Sequence, residues 1–147
     1  MGNDIILDKF GEDFVKKFEE KEYSLIVKEV EKLLLEHPES TFGWSLLGNS
    51  HFELKDFQKA IESFEQEAST GVIDSHLPYY NLGRSYDGLN NFEKAEENYK
   101  KSLAIKPDDY SSNYLLSNVY VKIGLYEKAE KFLKKSYEIN PNAPDLI

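Results

Sequence analysis

The chain of 147 residues has no cysteine, one tryptophan, one methionine and five prolines, and each scarcity excludes something. Without cysteine there is neither a disulfide scaffold nor a thiolate-ligated zinc site. Apolar runs are short: Ile5-Ile6-Leu7 and Leu33-Leu34-Leu35 are only three residues each, whereas a membrane-crossing helix needs about 20. A membrane span is therefore excluded. Basic residues are in deficit, 18 against 27 acids. The resulting charge of -9 opposes attraction to phosphate backbones, which depends on Lys and Arg releasing counterions, so no nucleic-acid partner is expected. The N-terminus lacks a basic stretch followed by an apolar one, and Ile6 stands where a myristoylation signal requires Ser or Thr. The expectation is a cytoplasmic domain. What remains, 40% hydrophobic, 31% charged and 14% aromatic, is the composition of an ordinary globular chain.

The order comes from self-similarity. Trp44, Leu47, Gly48 and His51 are followed by Ala60 and Phe64; Tyr79, Leu82, Gly83 and Tyr86 by Ala95, Tyr99 and Pro107; Asn113, Leu116, Ser117 and Tyr120 by Ala129, Leu133 and Pro141. The small residues Gly48, Gly83 and Ser117 lie 35 and 34 residues apart. Within each period the first group has i, i+3, i+4, i+7 spacing, one stripe of a helix, and the second group makes another. Phe57, Ala60, Ile61, Phe64 and Ala68 form one such second stripe. The turns between paired helices are short, with Asn90 and Gly124 suited to the left-handed conformation that ends a helix. The breaks between pairs fall at Gly71, Pro107 and Pro141. The spacing predicts antiparallel helices near 42–54, 57–70, 76–88, 92–105, 110–123 and 126–139. Two such helices approach closely only where side chains are small, so Gly48, Gly83 and Ser117 should face the bulk of the second helix, and Ala60, Ala95 and Ala129 should return the favour.

The spaced residues W-x2-L-G-x2-Y, then A-x3-F, then P resemble the tetratricopeptide repeat signature three times in register. Departures are His51 for Tyr, Asn113 for the aromatic, Ser117 for Gly, and Val72 where Pro is expected. The resemblance implies an all-α fold, a right-handed superhelical solenoid of antiparallel helix pairs. Residues 1–147 then form a single domain with repeats at 41–75, 76–109 and 110–143, preceded by a degenerate helix pair at 1–40. In that pair Phe10, Phe14 and Phe18 make one stripe and Tyr23, Ile26, Val30, Leu33 and Leu34 another. Phe14 and Ile26 stand where the pattern wants Gly and Ala, so the two helices should be more widely spaced. At the far end Asn142 to Ile147 opens with Pro144 a helix too short to finish. Part of the stripe Tyr126, Ala129, Leu133 and Tyr137 should face water and allow self-association through the C-terminal helix pair, unless the chain is an excerpt of a longer one.

No arrangement argues for catalysis. His37, His51 and His76 have no ligand spacing, so no metal is expected. Gly43 to Gly48 has P-loop spacing, but Asn49 replaces the required Lys and no strand precedes it. Asp74-Ser75-His76 holds triad residue types side by side, and triads are defined by geometry across a fold. Neither enzyme activity nor a cofactor is expected.

In the family it resembles, the first helix of each pair lines a concave surface that binds other proteins. The implied function is a non-catalytic scaffold holding a peptide or helix of a partner protein; the alternative is a structural spacer or docking segment of a larger assembly. Rotating the packing stripe by one residue gives the candidate lining: Phe42, Ser45, Asn49 and Phe52; Leu77, Tyr80, Arg84 and Asp87; Ser111, Tyr114, Asn118 and Val121. The candidate groove residues are Asn49, Phe52, Tyr80, Asn81, Arg84, Tyr114, Asn118 and Val121. Tetratricopeptide domains that clamp the acidic tails of chaperones carry Lys, Asn, Asn, Lys and Arg on three successive first helices. Asn49 and Asn81 match, but the cationic slots hold Ser45, Ser111 and Leu115, so no chaperone-tail binding is expected. Charge is uneven. Residues 1–40 carry 6 bases and 11 acids, and residues 110–147 carry 5 and 4; the asymmetry is either solvated surface or a field that steers basic partner segments to the N-terminal half, and the salt dependence of the association rate separates the two.

Overall fold

The computed structural model describes residues 4–70 and 74–143. Among these there are helices and no strand: α1 (Ile5–Glu19), α2 (Tyr23–Glu36), α3 (Thr41–Glu53), α4 (Phe57–Ser69), α5 (Leu77–Gly88), α6 (Phe92–Ile105), α7 (Tyr110–Lys122) and α8 (Tyr126–Ile139). The six helices expected from spacing start and stop within about two residues of their sequence-based limits. The break at Gly71, the departure at Val72 and the helix start at Pro144 lie outside the described residues. Two compact units are present, residues 1–73 holding α1 to α4 and residues 74–147 holding α5 to α8.

Side-chain caps begin several helices. Asp56, Asn91 and Asp109 accept from the backbone N–H three residues on, opening α4, α6 and α7. Turns inside the pairs reverse on left-handed residues, Asn90 at φ 57° and Gly124 at φ 79° as the spacing suggests, and also Lys21 and Lys55 at φ 60° and 63°. The lysines carry no sequence signal for that conformation.

Close approach is set by the glycines. A Cβ added to Gly48 would lie 2.6 Å from the Phe64 ring, and one on Gly83 2.7 Å from the Tyr99 ring. Ala60, Ala95 and Ala129 are buried on the facing helices. In the first pair Phe14 and Ile26 fill the same places, both buried, and α1 packs on α2 less closely than the other paired helices pack on each other. A phenyl ring and a branched chain take more room there than the glycine and alanine of the later pairs, in keeping with the looser pairing.

Asn113 is reconciled with the aromatic it replaces. The Trp44 indole N–H donates to the Pro38 carbonyl at 2.7 Å, and the Asn113 amide donates to the Pro107 carbonyl at 3.2 Å and the Asp109 carbonyl at 2.9 Å. Both side chains tie the start of a first helix to the proline turn before it. Asparagine keeps that hydrogen bond and gives up the ring.

Candidate interaction faces on the first helices

In the N-terminal unit α1 and α3 lie side by side, and Asp4 joins their beginnings. Its carboxylate accepts from the Leu7 N–H of its own helix at 3.2 Å, from the Ser40 hydroxyl at 2.6 Å and from the Phe42 N–H at 2.9 Å. Between the two helices opens a recess of about 290 Å³, lined by Val15, Phe18 and Glu19 of α1 and by Phe42, Ser45, Leu46 and Asn49 of α3. Val15 is half exposed, at 52%. The lining is apolar with a polar edge: the Asn49 amide donates to the Ser45 carbonyl at 2.8 Å, which leaves its side-chain oxygen able to accept. Phe52, one turn further on, is half-buried and packs edge-on against Phe57 at 5.3 Å.

Behind this face sits Glu67 of α4, 7% exposed, at the place in the repeat where Ser102 and Ser136 stand in later copies. One carboxyl oxygen, Oε2, is buried without a hydrogen-bond partner. Burial pushes its carboxyl up to about 7, against the opposing effect of a hydrogen bond with Ser45. Sequence reading missed it, since its neighbours on α4 are solvated glutamates. The one available signal was a charged residue in a small-residue position.

In the C-terminal unit the corresponding faces of α5 and α7 are aromatic and partly charged. The Arg84 guanidinium lies 5.6 Å from the centre of the Tyr80 ring, and Tyr80 in turn is 6.3 Å from Tyr99. The Tyr99 hydroxyl is buried without a hydrogen-bond partner, and burial raises its ionisation far above the ordinary tyrosine value. Lys122 of α7 donates to both carboxylate oxygens of Asp87 of α5, at 2.7 and 2.8 Å. Tyr114 stacks on Tyr110 at 5.9 Å with 17° between the planes. Arg84, Tyr114 and Asn118 are half-buried, and Val121 is 51% exposed. Asn81 differs from the rest in being buried, at 8%, with its backbone carbonyl accepting from the Ser85 hydroxyl.

No group of three or more His, Asp or Glu among the described residues is arranged to hold a metal ion. Ser75, from the Asp-Ser-His run, uses its hydroxyl to accept from the Leu77 N–H at 3.3 Å, and His76 stands 3.4 Å from Asp109. No helix of the described residues is long and apolar enough to cross a membrane.

The class these features define is the helical-hairpin repeat: antiparallel pairs with a 34- to 35-residue period, glycine and alanine at the crossing points, and first helices whose outer faces carry aromatic and amide side chains. Models of the tetratricopeptide repeat match residues 43–66, 77–109 and 110–143, together roughly three fifths of the chain. The chain belongs to the tetratricopeptide repeat family and is, at that level, a scaffold for protein–protein interaction. No curated protein matches it by sequence. Among solved structures it is similar to a crystal structure of MamA, with TM-score 0.74 and 26% identity over 78% of this chain and 67% of that one. It also resembles MamA, residue 41 to the end, from Desulfovibrio magneticus RS-1, with TM-score 0.82 and 20% identity over 90% and 74% of the two chains. A double mutant of MamA RS-1 gives TM-score 0.81 and 20% identity over 87% and 71%.

Proposed function

We propose that the protein is a non-catalytic binding module that holds a peptide segment or helix of a partner protein against the exposed faces of its first helices. The observation that carries this reading is the recess between α1 and α3. It offers apolar surface from Val15, Phe18, Phe42 and Leu46 beside the hydrogen-bonding edge of Asn49, the combination that seats a side chain while pairing with a peptide backbone. On α5 and α7 the side chains suited to contribute are Tyr80, Arg84, Tyr114, Asn118 and Val121. Tyr and Arg concentrate binding energy because they combine large contact area with directed hydrogen bonds. Arg84 would meet a carboxylate or a backbone carbonyl of the segment.

The test is to capture a partner with the protein, map the bound segment, and measure its affinity by calorimetry. Arg84→Ala and Tyr114→Ala should each weaken binding by about 1 kcal/mol or more with little change in melting temperature. Equal affinity of the double variant would overturn the assignment of these faces.

A second reading, a structural spacer or docking segment within a larger assembly, is favoured by α8. Tyr126 and Tyr137 of the last stripe are 68% and 40% exposed, while Ala129 of the same stripe is buried. Concentration-dependent sedimentation that Tyr126→Lys abolishes would support association through α8; a strict monomer would count against self-association.

A further inference from the structure

The departure of His51 from the repeat signature has a structural consequence on another face of α3. In the last repeat the equivalent residue is Tyr120, 1% exposed, whose ring lies 5.6 Å from Phe132 and whose hydroxyl donates to Glu96 at 2.8 Å. By the repeat register His51 corresponds to Tyr120 and Ser63 to Phe132. Both substitutions remove volume from one place. What opens there is a groove of about 600 Å³ across α3, flanked by α2 and α4. Its floor is Leu34, Trp44, Leu47 and His51, all buried or half-buried. Leu35, at its lip, is 86% exposed.

We infer that this groove docks an amphipathic helix of a partner protein, with apolar residues on the floor and Lys or Arg along its flanks. Volume sets the first requirement. The groove holds more than one large side chain, as when a helix presents anchors at i, i+3 or i+4, and i+7. A helix laid over α3 would run between α2 and α4 in the manner in which helices pack in grooves elsewhere. Charge sets the second requirement. The exposed rim carries Glu31 of α2 and Glu62 of α4 against the single cation Lys59. No ion pair within the described residues takes up either carboxylate. Residues 1–73 carry 16 acids and 8 bases, so the surrounding field favours a basic helix over an acidic one. This surface is separate from the recess lined by Phe42, Ser45 and Asn49, so either can fail without the other.

The test is a displayed library of helical peptides of about 18 residues selected against the full chain. The chain's one tryptophan, Trp44, lies in the groove and reports occupancy by its fluorescence. Enriched peptides should carry apolar residues at i, i+3 or i+4, and i+7 flanked by Lys or Arg, and should shift Trp44 emission saturably. His51→Tyr/Ser63→Phe, which restores the filling seen around Tyr120, should weaken them at least tenfold. Glu31→Lys/Glu62→Lys, which alters only the exposed rim, should do the same should the filled variant fail to fold. Enrichment of acidic peptides, no enrichment at all, or peptides that bind both variants as tightly as the parent would overturn the inference.

Discussion

Gly83 and Glu67 show how single residues govern stability in opposite senses. At Gly83 an added methyl would sit 2.7 Å from the Tyr99 ring, which is itself fully buried. Gly83→Ala is expected to cost about 1 to 3 kcal/mol through overpacking, read from the midpoint of a urea unfolding curve. Glu67 acts through its proton. Its carboxyl has an ordinary value of 4.5 and is pushed up to about 7 in the fold. As pH rises between those values the unfolded chain gives up the proton first, so stability falls across that window and levels off above it. The lost stability reaches at most about 3 kcal/mol. Glu67→Gln should therefore raise the melting temperature more at pH about 8 than at pH about 4; equal shifts at the two would show that the carboxylate is not the cause. The glycine was legible in the sequence because it recurs at a fixed period. The glutamate was not, because burial of one carboxylate among many depends on which helix face is covered.

At the scale of the element, spacing located the helices well because hydrophobic periodicity and the proline and glycine breaks agree with one another. The sequence said less about what joins one element to the next. Asp4, which no motif marks, caps α1 by accepting from the Leu7 N–H. In the fold it also receives the Ser40 hydroxyl and the Phe42 N–H, and so fixes the beginning of α1 against that of α3. Asp4→Ala removes a cap worth about 1 kcal/mol together with hydrogen bonds to a charged group. Hydrogen exchange in α1 should then accelerate well beyond that in α3 and α4; uniform acceleration would mean that α1 opens only together with α3 and α4, and no acceleration that packing alone holds it. The same reasoning applies to the site. The candidate faces of α3, α5 and α7 followed from rotating a stripe, but Val15, Phe18 and Glu19 were missed. The degenerate first pair obeys the period without obeying the signature, so its face could not be found by matching motif positions.

At the scale of the whole molecule the charge is divided unequally, residues 1–73 carrying 16 acids and 8 bases and residues 74–147 carrying 11 and 10. A basic partner segment should therefore associate faster with the protein at low ionic strength, with the rate falling as salt rises; a salt-independent rate would assign the acids to solvation alone. An acidic chaperone-type tail should bind with millimolar affinity or not at all, since Ser45, Ser111 and Leu115 offer no cation. The central claim is that the exposed faces of the first helices hold the partner. It is tested most directly by amide NMR of the full chain titrated with the segment mapped from a captured partner. The account expects the largest saturable shifts at Asn49, Tyr80, Arg84, Tyr114 and Asn118. Amides of α1, α3, α5 and α7 that stay in place at saturation would contradict it.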